Sequence, residues 1–427
     1  MEKATMMQDL LRVINTEPLK GTALNKFRVE TCKARGRDSA RILRDFFKAN
    51  RGEIKKVLFM GHRGSGKSTE LYQLGEYLKD SFSVINFSIK KEIDTRGMKY
   101  TDLIFVILEK LFSQAVEEKI KIDEGILDNI YNYWNDEKLN EIYKFEKSGI
   151  EISAEAKTSF ISNILGNIKG TLATGKESKE IIRRHIEPKL SRLIDDANDL
   201  IQIIRMGMGK QGKMPIIIIE DLDKLSISDA KDLFLNHSDV LTDLKIHIVY
   251  TFPIFLNYSI EFNEIKGVFE RTELLSMIKV NNPDGTPYDI GRGIIKEIVE
   301  RRANAELFEP EALDFIIEKS GGALRSVFEM ILNAALIARS NDEDTKKVDF
   351  ESAKKAYVEL RSDFERIIFR KHIDVLKRIY NKNGEEGMAD ENMMEMLSCS
   401  AIIEYNGERW CDLHPAVKDM LERKGLV

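Results

Sequence analysis

The stretch KKVLFMGHRGSGKSTELYQLGEYL, residues 55–78, decides how the rest of the chain is read. Val57 to Met60 form a short apolar run that stops at Gly61, and an amphipathic segment opens at Lys67. An apolar run, a glycine-rich turn and an amphipathic segment predict strand, loop and helix in that order. Gly61-x4-Gly66-Lys67-Ser68 fits the phosphate-binding loop in full, and it stands where the chemistry needs it, between strand and helix. Gly61, Gly64 and Gly66 let backbone N–H groups close around phosphates. The Lys67 ammonium reaches the β- and γ-phosphates, and the Ser68 hydroxyl ligates Mg²⁺. The segment Gly61, His62, Arg63, Gly64, Ser65, Gly66, Lys67, Ser68 and Thr69 is therefore the expected cradle for ATP, with His62 incidental to the chemistry.

Such a loop needs an acid to hold the Mg²⁺ shell and a group to orient the attacking water, both at the end of a neighbouring strand. MPIIIIEDLDKL, residues 214–225, offers four consecutive isoleucines followed by Glu220, Asp221 and Asp223. An unbroken apolar run is the mark of a central strand, which favours a catalytic acid strand over a helix cap. Two registers stay open. Either Glu220 lies on the metal and Asp221 polarises the water, or Asp221 takes the metal and Asp223 the water.

Outward from these two segments, FSVINFSI (residues 82–89) reads as a further strand, and helices are expected over 100–118 and 123–135. KIHIVYTFP (residues 245–253) supplies another buried strand closing near Thr251. The alternation predicts an α/β, doubly wound parallel sheet. From 136 to 213 the pattern loosens into a Gly/Ser/Thr-rich, weakly alternating stretch followed by a helical one over 176–205, and reads as an insertion. After residue 281 the chain turns helical, with two helices broken at Gly321-Gly322, as a helical lid would be. The tail holds helices and then AIIEYNGERWCDL, where Asn406-Gly407 between alternating runs signals a hairpin and a winged-helix-like end. Tyr405 and Trp410, flanking that turn, are expected to pack into the core. The expected division is 1–34 N-terminal segment, 35–280 core, 281–361 lid and 362–427 winged-helix-like domain.

Composition narrows the functional classes. The 427 residues are 43% hydrophobic and 32% charged with 8 Pro, which describes a helix-rich globular chain and excludes a disordered or fibrous one. A net charge of -5 argues against a chain basic throughout. Residues 1–56 are the exception, with 14 Lys/Arg against 7 Asp/Glu, and Lys33, Arg35, Arg37, Arg41 and Arg44 close together. They are either a solvated helix face or a phosphate-contacting arm. Residues 362–427 carry 10 basic and 13 acidic side chains, so that end is no phosphate-tracking surface. Cys32, Cys399 and Cys411 make no disulfide framework or zinc spacing. With no signal-peptide pattern and no apolar run near ~20 residues, a cytoplasmic protein with no membrane partner is expected.

The P-loop, the IIIIEDLDK acid strand, Thr251 at a strand end and SGGALR before a helical lid together resemble AAA+ ATPases over roughly residues 35–340. Within them the chain is most similar to origin-recognition-type and STAND-like ATPases, and GHRGSGKSTEL resembles a bacterial group found beside defence and mobile-element genes. The resemblance implies that Thr251 occupies the sensor-1 position, although Asn is commoner there. It implies that Arg325 of GGALR is the sensor-2 arginine, coupling lid angle to the γ-phosphate. It also implies an arginine finger acting in trans, for which Arg271 is the best placed residue and Arg301 and Arg302 weaker ones. The Glu-Asp order departs from the usual Asp-Glu.

Two functions follow. One is an ATP-driven switch that forms a homo-oligomer with Mg-ATP and licenses an effector protein, with phage defence suggested by the family association. The other is a DNA-acting AAA+ loader or transposition-type regulator, resting on the basic N-terminal stretch. A small-molecule kinase is disfavoured by the surplus length and the lid motif.

Overall fold

A computed structural model describes residues 2–125, 127, 128, 154–174, 179, 180, 183, 184, 187–210, 212–382, 390–405 and 410–427. Its centre is a five-stranded sheet of β1 (Lys56–Met60), β2 (Phe82–Ser88), β3 (Met214–Glu220), β4 (His247–Phe252) and β5 (Arg271–Leu274). All pairings are parallel and the order is β2-β3-β4-β1-β5. The register sets Met60 beside Phe252 and Leu274, and Glu220 beside Ser88, so the five segments that leave these strands emerge on one edge. In open parallel sheets ligands bind outside that carboxyl edge.

β3 shows why the isoleucines stand unbroken. Ile216 and Ile218 pack with Val57, Phe59 and Val249 against the helices Ser39–Ala49 and Lys67–Leu78, whereas Ile217 and Ile219 face the other side with Leu58, Ile248 and Tyr250. A strand covered on both faces has no position for a polar alternation. The second face is covered by helices Tyr100–Glu117 and Leu190–Gly209, with Ala154–Thr174 packed on Tyr100–Glu117.

That last helix corrects the sequence reading. The stretch expected to be weakly patterned is a 21-residue helix, because Ile161, Ile164, Leu165, Ile168 and Leu172 repeat at helical spacing and are fully buried. Its glycines and hydroxyl residues obscured the period. Most of the helix expected over 123–135 lies outside the described residues.

The lid comprises helices Asp289–Arg302, Pro310–Lys319, Leu324–Asn341 and Phe350–Ile367, with the break at Gly321-Gly322 as expected. Gly322 has φ +82, and a Cβ there would lie 1.7 Å from Ile278 O, so only glycine lets the lid approach the core this closely. The C-terminal part runs through helices Ile373–Tyr380 and Glu391–Ser398, antiparallel strands β6 (Ile402–Tyr405) and β7 (Trp410–Leu413), and helix Pro415–Arg423. Tyr405 stacks on Trp410 at 4.6 Å and donates to Gly321 O at 2.7 Å, and the turn at Asn406-Gly407 lies outside the described residues.

The N-terminal segment is not a free arm. Met7, Leu10, Val13 and Ile14 are buried, and Ala4 bridges Ala303 at the end of the first lid helix. The segment then crosses the carboxyl edge of the sheet, where Leu19 N donates to Thr69 Oγ1 at 3.2 Å. Among the described residues no helix is long and apolar enough to cross a membrane.

Candidate functional site

At the carboxyl edge the P-loop leaves β1 and runs into helix Lys67–Leu78. Gly64 takes φ +83, and a Cβ there would lie 2.9 Å from Arg325 Cβ, so the loop and the lid meet at a point that admits no side chain. Leu324 N donates to Gly64 O at 3.1 Å, completing this contact. The loop opens into a cleft of about 280 Å³ lined by Arg63, Gly64, Gly66, Lys67, Ser68 and Thr69, by Glu220, Asp221, Asp223 and Thr251, and by Arg325.

Lys67 is buried, and its ammonium has three acceptors: Gly61 O at 2.8 Å, His62 O at 2.9 Å and Asp223 Oδ2 at 2.9 Å. All three N–H bonds are thus satisfied within the chain. A phosphate entering the cradle competes with Asp223 for this ammonium.

The two adjacent acids are set apart by their surroundings. Glu220 is almost fully buried; burial is the main reason its pKa is raised, with Asp221 and Asp223 adding to the effect and the Ser68 and Tyr72 hydroxyls opposing it. Burial also acts to raise Asp221, but Lys224, on which it forms an ion pair, and the Ser88 hydroxyl, which donates to its Oδ2, outweigh it and leave the pKa below the ordinary value. Asp221 takes φ +71, a strained position for a non-glycine residue, which swings it out of line with the strand. Adjacent carboxylates pushed in opposite directions are a mark of divided labour.

Thr251 is turned towards this acid segment. Its Oγ1 donates to Ile219 O at 3.0 Å and accepts from Leu222 N at 3.0 Å, so it splints the turn that carries Glu220 and Asp221. Arg325 opens the helix Leu324–Asn341, with Nη1 3.4 Å from Glu329 and Nε buried without a partner.

Several expected residues are placed elsewhere. His62 does not line the cleft: its ring is fully buried, and Nε2 accepts from Glu404 N of β6 at 2.7 Å. Ser65 is buried behind the loop with its hydroxyl unpartnered. Arg271, expected to serve a neighbouring subunit's site and not this cradle, sits at the start of β5, level with Val57, with its guanidinium 3.2 Å from Glu273 Oε2 and over the Phe46 ring. Arg301 is held by Glu297 at 2.9 Å and by Arg28 O at 3.1 Å.

Of the basic cluster near residue 35, Arg35 itself faces the interior and not a phosphate outside. Arg35 is 3% exposed, and donates through Nη2 to Ser65 O at 2.6 Å, through Nε to Thr31 Oγ1 at 2.8 Å, and through Nη1 to Ser276 O. Burial lowers its pKa to about 10. It braces the back of the P-loop. Arg37 pairs with the buried Glu273 at 2.6 Å, and Arg41 with Glu30 at 2.5 Å and Asp38 at 3.3 Å.

The cleft also contains residues the sequence did not point to: Thr16, Glu17 and Pro18 from the N-terminal segment, Tyr72, Ser88, Lys91, and Phe328 from the lid; Arg302, named only as a weaker finger candidate, lines this chain's own cleft as well. Tyr72 stands four residues after Ser68, so it shares that helix face, and the spacing itself was a usable signal. The N-terminal residues gave none, and nothing in the sequence put Arg302 in this cleft, because only the packing of distant segments brings them there.

No family model and no curated protein matches this chain. Solved structures to which it is similar include the Walker-type ATPase PABY2304 of Pyrococcus abyssi, at 13% identity and TM-score 0.45, spanning 96% of this chain and 99% of that one. Cdc6p from Pyrobaculum aerophilum is similar at 11% identity and TM-score 0.42, over 97% and 98%. Thermotoga maritima RuvB T158V is similar at 13% identity and TM-score 0.39, over 95% and 98%.

Proposed function

We propose that this chain is a Mg-ATP-binding and ATP-hydrolysing switch of the AAA+ type, whose nucleotide state sets the lid and, through it, a homo-oligomer that engages an effector protein. The observation that carries the reading is the convergence in one cleft of the Lys67 ammonium, the acid pair Glu220-Asp221 and the lid's Arg325. An ammonium poised 2.9 Å from a carboxylate, a hydroxyl beside a buried acid and a cation on a separate helical unit are the parts phosphoryl transfer to water requires.

Ser68 and Glu220 fit Mg²⁺: a hydroxyl and a carboxylate are hard oxygen donors, and two protein ligands suit an ion that keeps water and substrate phosphate for the rest. When bound, the ion neutralises charge on the terminal phosphates. Asp221, kept ionised by Lys224 and Ser88, takes the proton of the water whose oxygen bonds to the γ-phosphorus, as the bond to the bridging oxygen breaks and ADP leaves. Glu220, beside Ser68, serves the metal in this assignment, which is the first of the two registers. Thr251 acts by fixing the acid turn. Arg325, opening the lid helix that packs on Gly64, meets the terminal phosphate.

The C-terminal part, with an antiparallel pair followed by a helix, suits a winged-helix-like docking unit for a protein partner, given its acidic balance. The expected division into segment, core, lid and end domain is kept as a working description, and a role in phage defence rests on the family resemblance. The DNA-loading alternative loses the support it drew from Arg35, which is buried, and rests on the half-exposed Arg37 and Arg41. Titration with Mg-ATP, with Lys67→Ala as control, tests the reading: wild-type binding and ATP-dependent assembly that the variant lacks uphold it, and equal assembly by both sinks it.

A further inference from the structure

We propose that Arg302 is a nucleotide-binding residue that takes the phosphate nearest the sugar, the part shared by di- and triphosphate. The inference rests on the nucleotide reading above. Arg301 and Arg302 are neighbours at the end of the first lid helix, yet their side chains part company. Arg301 is 44% exposed and satisfied by Glu297 and Arg28 O, whereas Arg302 is 5% exposed and turned into the cleft.

Within the protein Arg302 is under-used. Nη1 donates to Asn15 O at 3.3 Å, the guanidinium lies 4.4 Å from the Phe328 ring centre, and the buried Nε has no partner. Among the described residues no carboxylate forms an ion pair with it, and burial alone lowers its pKa, to about 10. A buried cation with no counter-ion is costly, and a cleft that keeps one is built for an anion from outside.

The position on the cleft says which anion. Arg302 also lines a smaller adjoining cleft of about 50 Å³ with Gly66, Thr69, Glu70 and Leu324, and none of Glu220, Asp221, Asp223 or Arg325 lines it. Glu70 is occupied there by Arg28 at 3.2 Å. Lys67, 2.9 Å from Asp223, faces the acid end, where the terminal phosphate reacts, and Arg302 extends to the other side of the cleft, beside the first turn of helix Lys67–Leu78. Ligand charge at a helix N-terminus is favoured by the free N–H groups, and a guanidinium opposite completes the clamp.

Binding and melting curves on the full chain decide the matter. Arg302→Met is expected to weaken Mg-ADP and Mg-ATP alike, by roughly 10- to 100-fold, the range of a charged hydrogen bond. Its unliganded melting temperature is expected to equal or exceed wild type, because an uncompensated buried charge has gone. Arg301→Met, at the exposed neighbour that lines neither cleft, is expected to leave Mg-ADP affinity within about threefold of wild type, and an equal loss there would overturn the assignment to Arg302. If Arg302→Met does not fold, Arg302→Gln, which keeps a donor for Asn15 O, takes its place. Unchanged Mg-ADP affinity in the folded variant overturns the proposal. Failure of the wild-type chain to bind either nucleotide overturns the nucleotide reading together with it, so the two failures are distinct.

Discussion

The Nε2 of His62, inside the phosphate-binding loop, accepts a 2.7 Å hydrogen bond from the backbone N–H of Glu404, in a strand near the other end of the chain. The ring is fully buried, and Ser400 Oγ reaches Arg63 O at 3.5 Å beside it, so the loop and the C-terminal part are joined behind the cradle. His62→Ala would orphan the Glu404 N–H and leave a cavity. A loss of about 2–4 kcal/mol of stability and weaker Mg-ADP binding are expected. Thermal unfolding with an ADP titration checks this, and an unchanged melting temperature would show that the contact is idle.

Acid sensitivity follows from the same burial. Burial lowers His62 to about 3, His247 to about 4 and His414 to about 3. Each binds a proton in the unfolded chain near pH 6.5 but not in the folded one, so its stability contribution is full above that pH and is lost as pH falls towards the folded value. Each contributes a slope of about 1.4 kcal/mol per pH unit below 6. Asp196, which burial raises to about 6, works in the opposite direction between pH about 4 and 6. Denaturant unfolding from pH 7 to 5 should show falling stability, and a flat profile would contradict the buried, neutral histidines.

The acid registers separate by kinetics. Asp221→Asn is expected to cut ATP turnover at least ~100-fold while leaving Mg-ATP binding near wild type, and Glu220→Gln to weaken binding mainly in the presence of Mg²⁺. Ser88→Ala, which removes the hydroxyl on Asp221, should slow turnover by a smaller factor of roughly tenfold. If instead Asp223→Asn slows turnover with binding near wild type while Asp221→Asn weakens binding mainly in the presence of Mg²⁺, the second register is right.

Arg35 is a structural brace. Arg35→Met leaves Ser65 O and Ser276 O without their buried donor, and a loss of about 3 kcal/mol is expected, with a weaker P-loop. Arg41→Ala, at a half-exposed ion pair screened by solvent, should leave stability near wild type. Binding of duplex DNA to Arg41→Ala across a salt series tests the remaining nucleic-acid reading: an unchanged slope removes this residue from any contact surface.

Gly322→Ala asks whether the lid must sit as observed. With φ +82 and Ile278 O in the path of any Cβ, the lid should separate from the core or the protein should unfold below the wild-type temperature. Wild-type melting of this variant would mean that the close approach is not needed.

What the sequence determined by itself lies within single short segments. The strand, loop and helix around Lys67 are local, because glycines set the turn and leucines at helical spacing set the helix. β3 was legible because a strand buried on both faces must be apolar throughout. The helix Ala154–Thr174 is written just as locally in its isoleucines, but its glycines and threonines mask their period. Tertiary structure alone decided which distant residues share a site. It placed Arg35 behind Ser65, turned His62 to Glu404, and set Thr16 to Pro18 and Arg302 around the cleft. A side chain's role depends on which of two neighbouring directions it takes, as Arg301 and Arg302 show. That direction is chosen by long-range packing and by the cost of burying charge, which no spacing along the chain records.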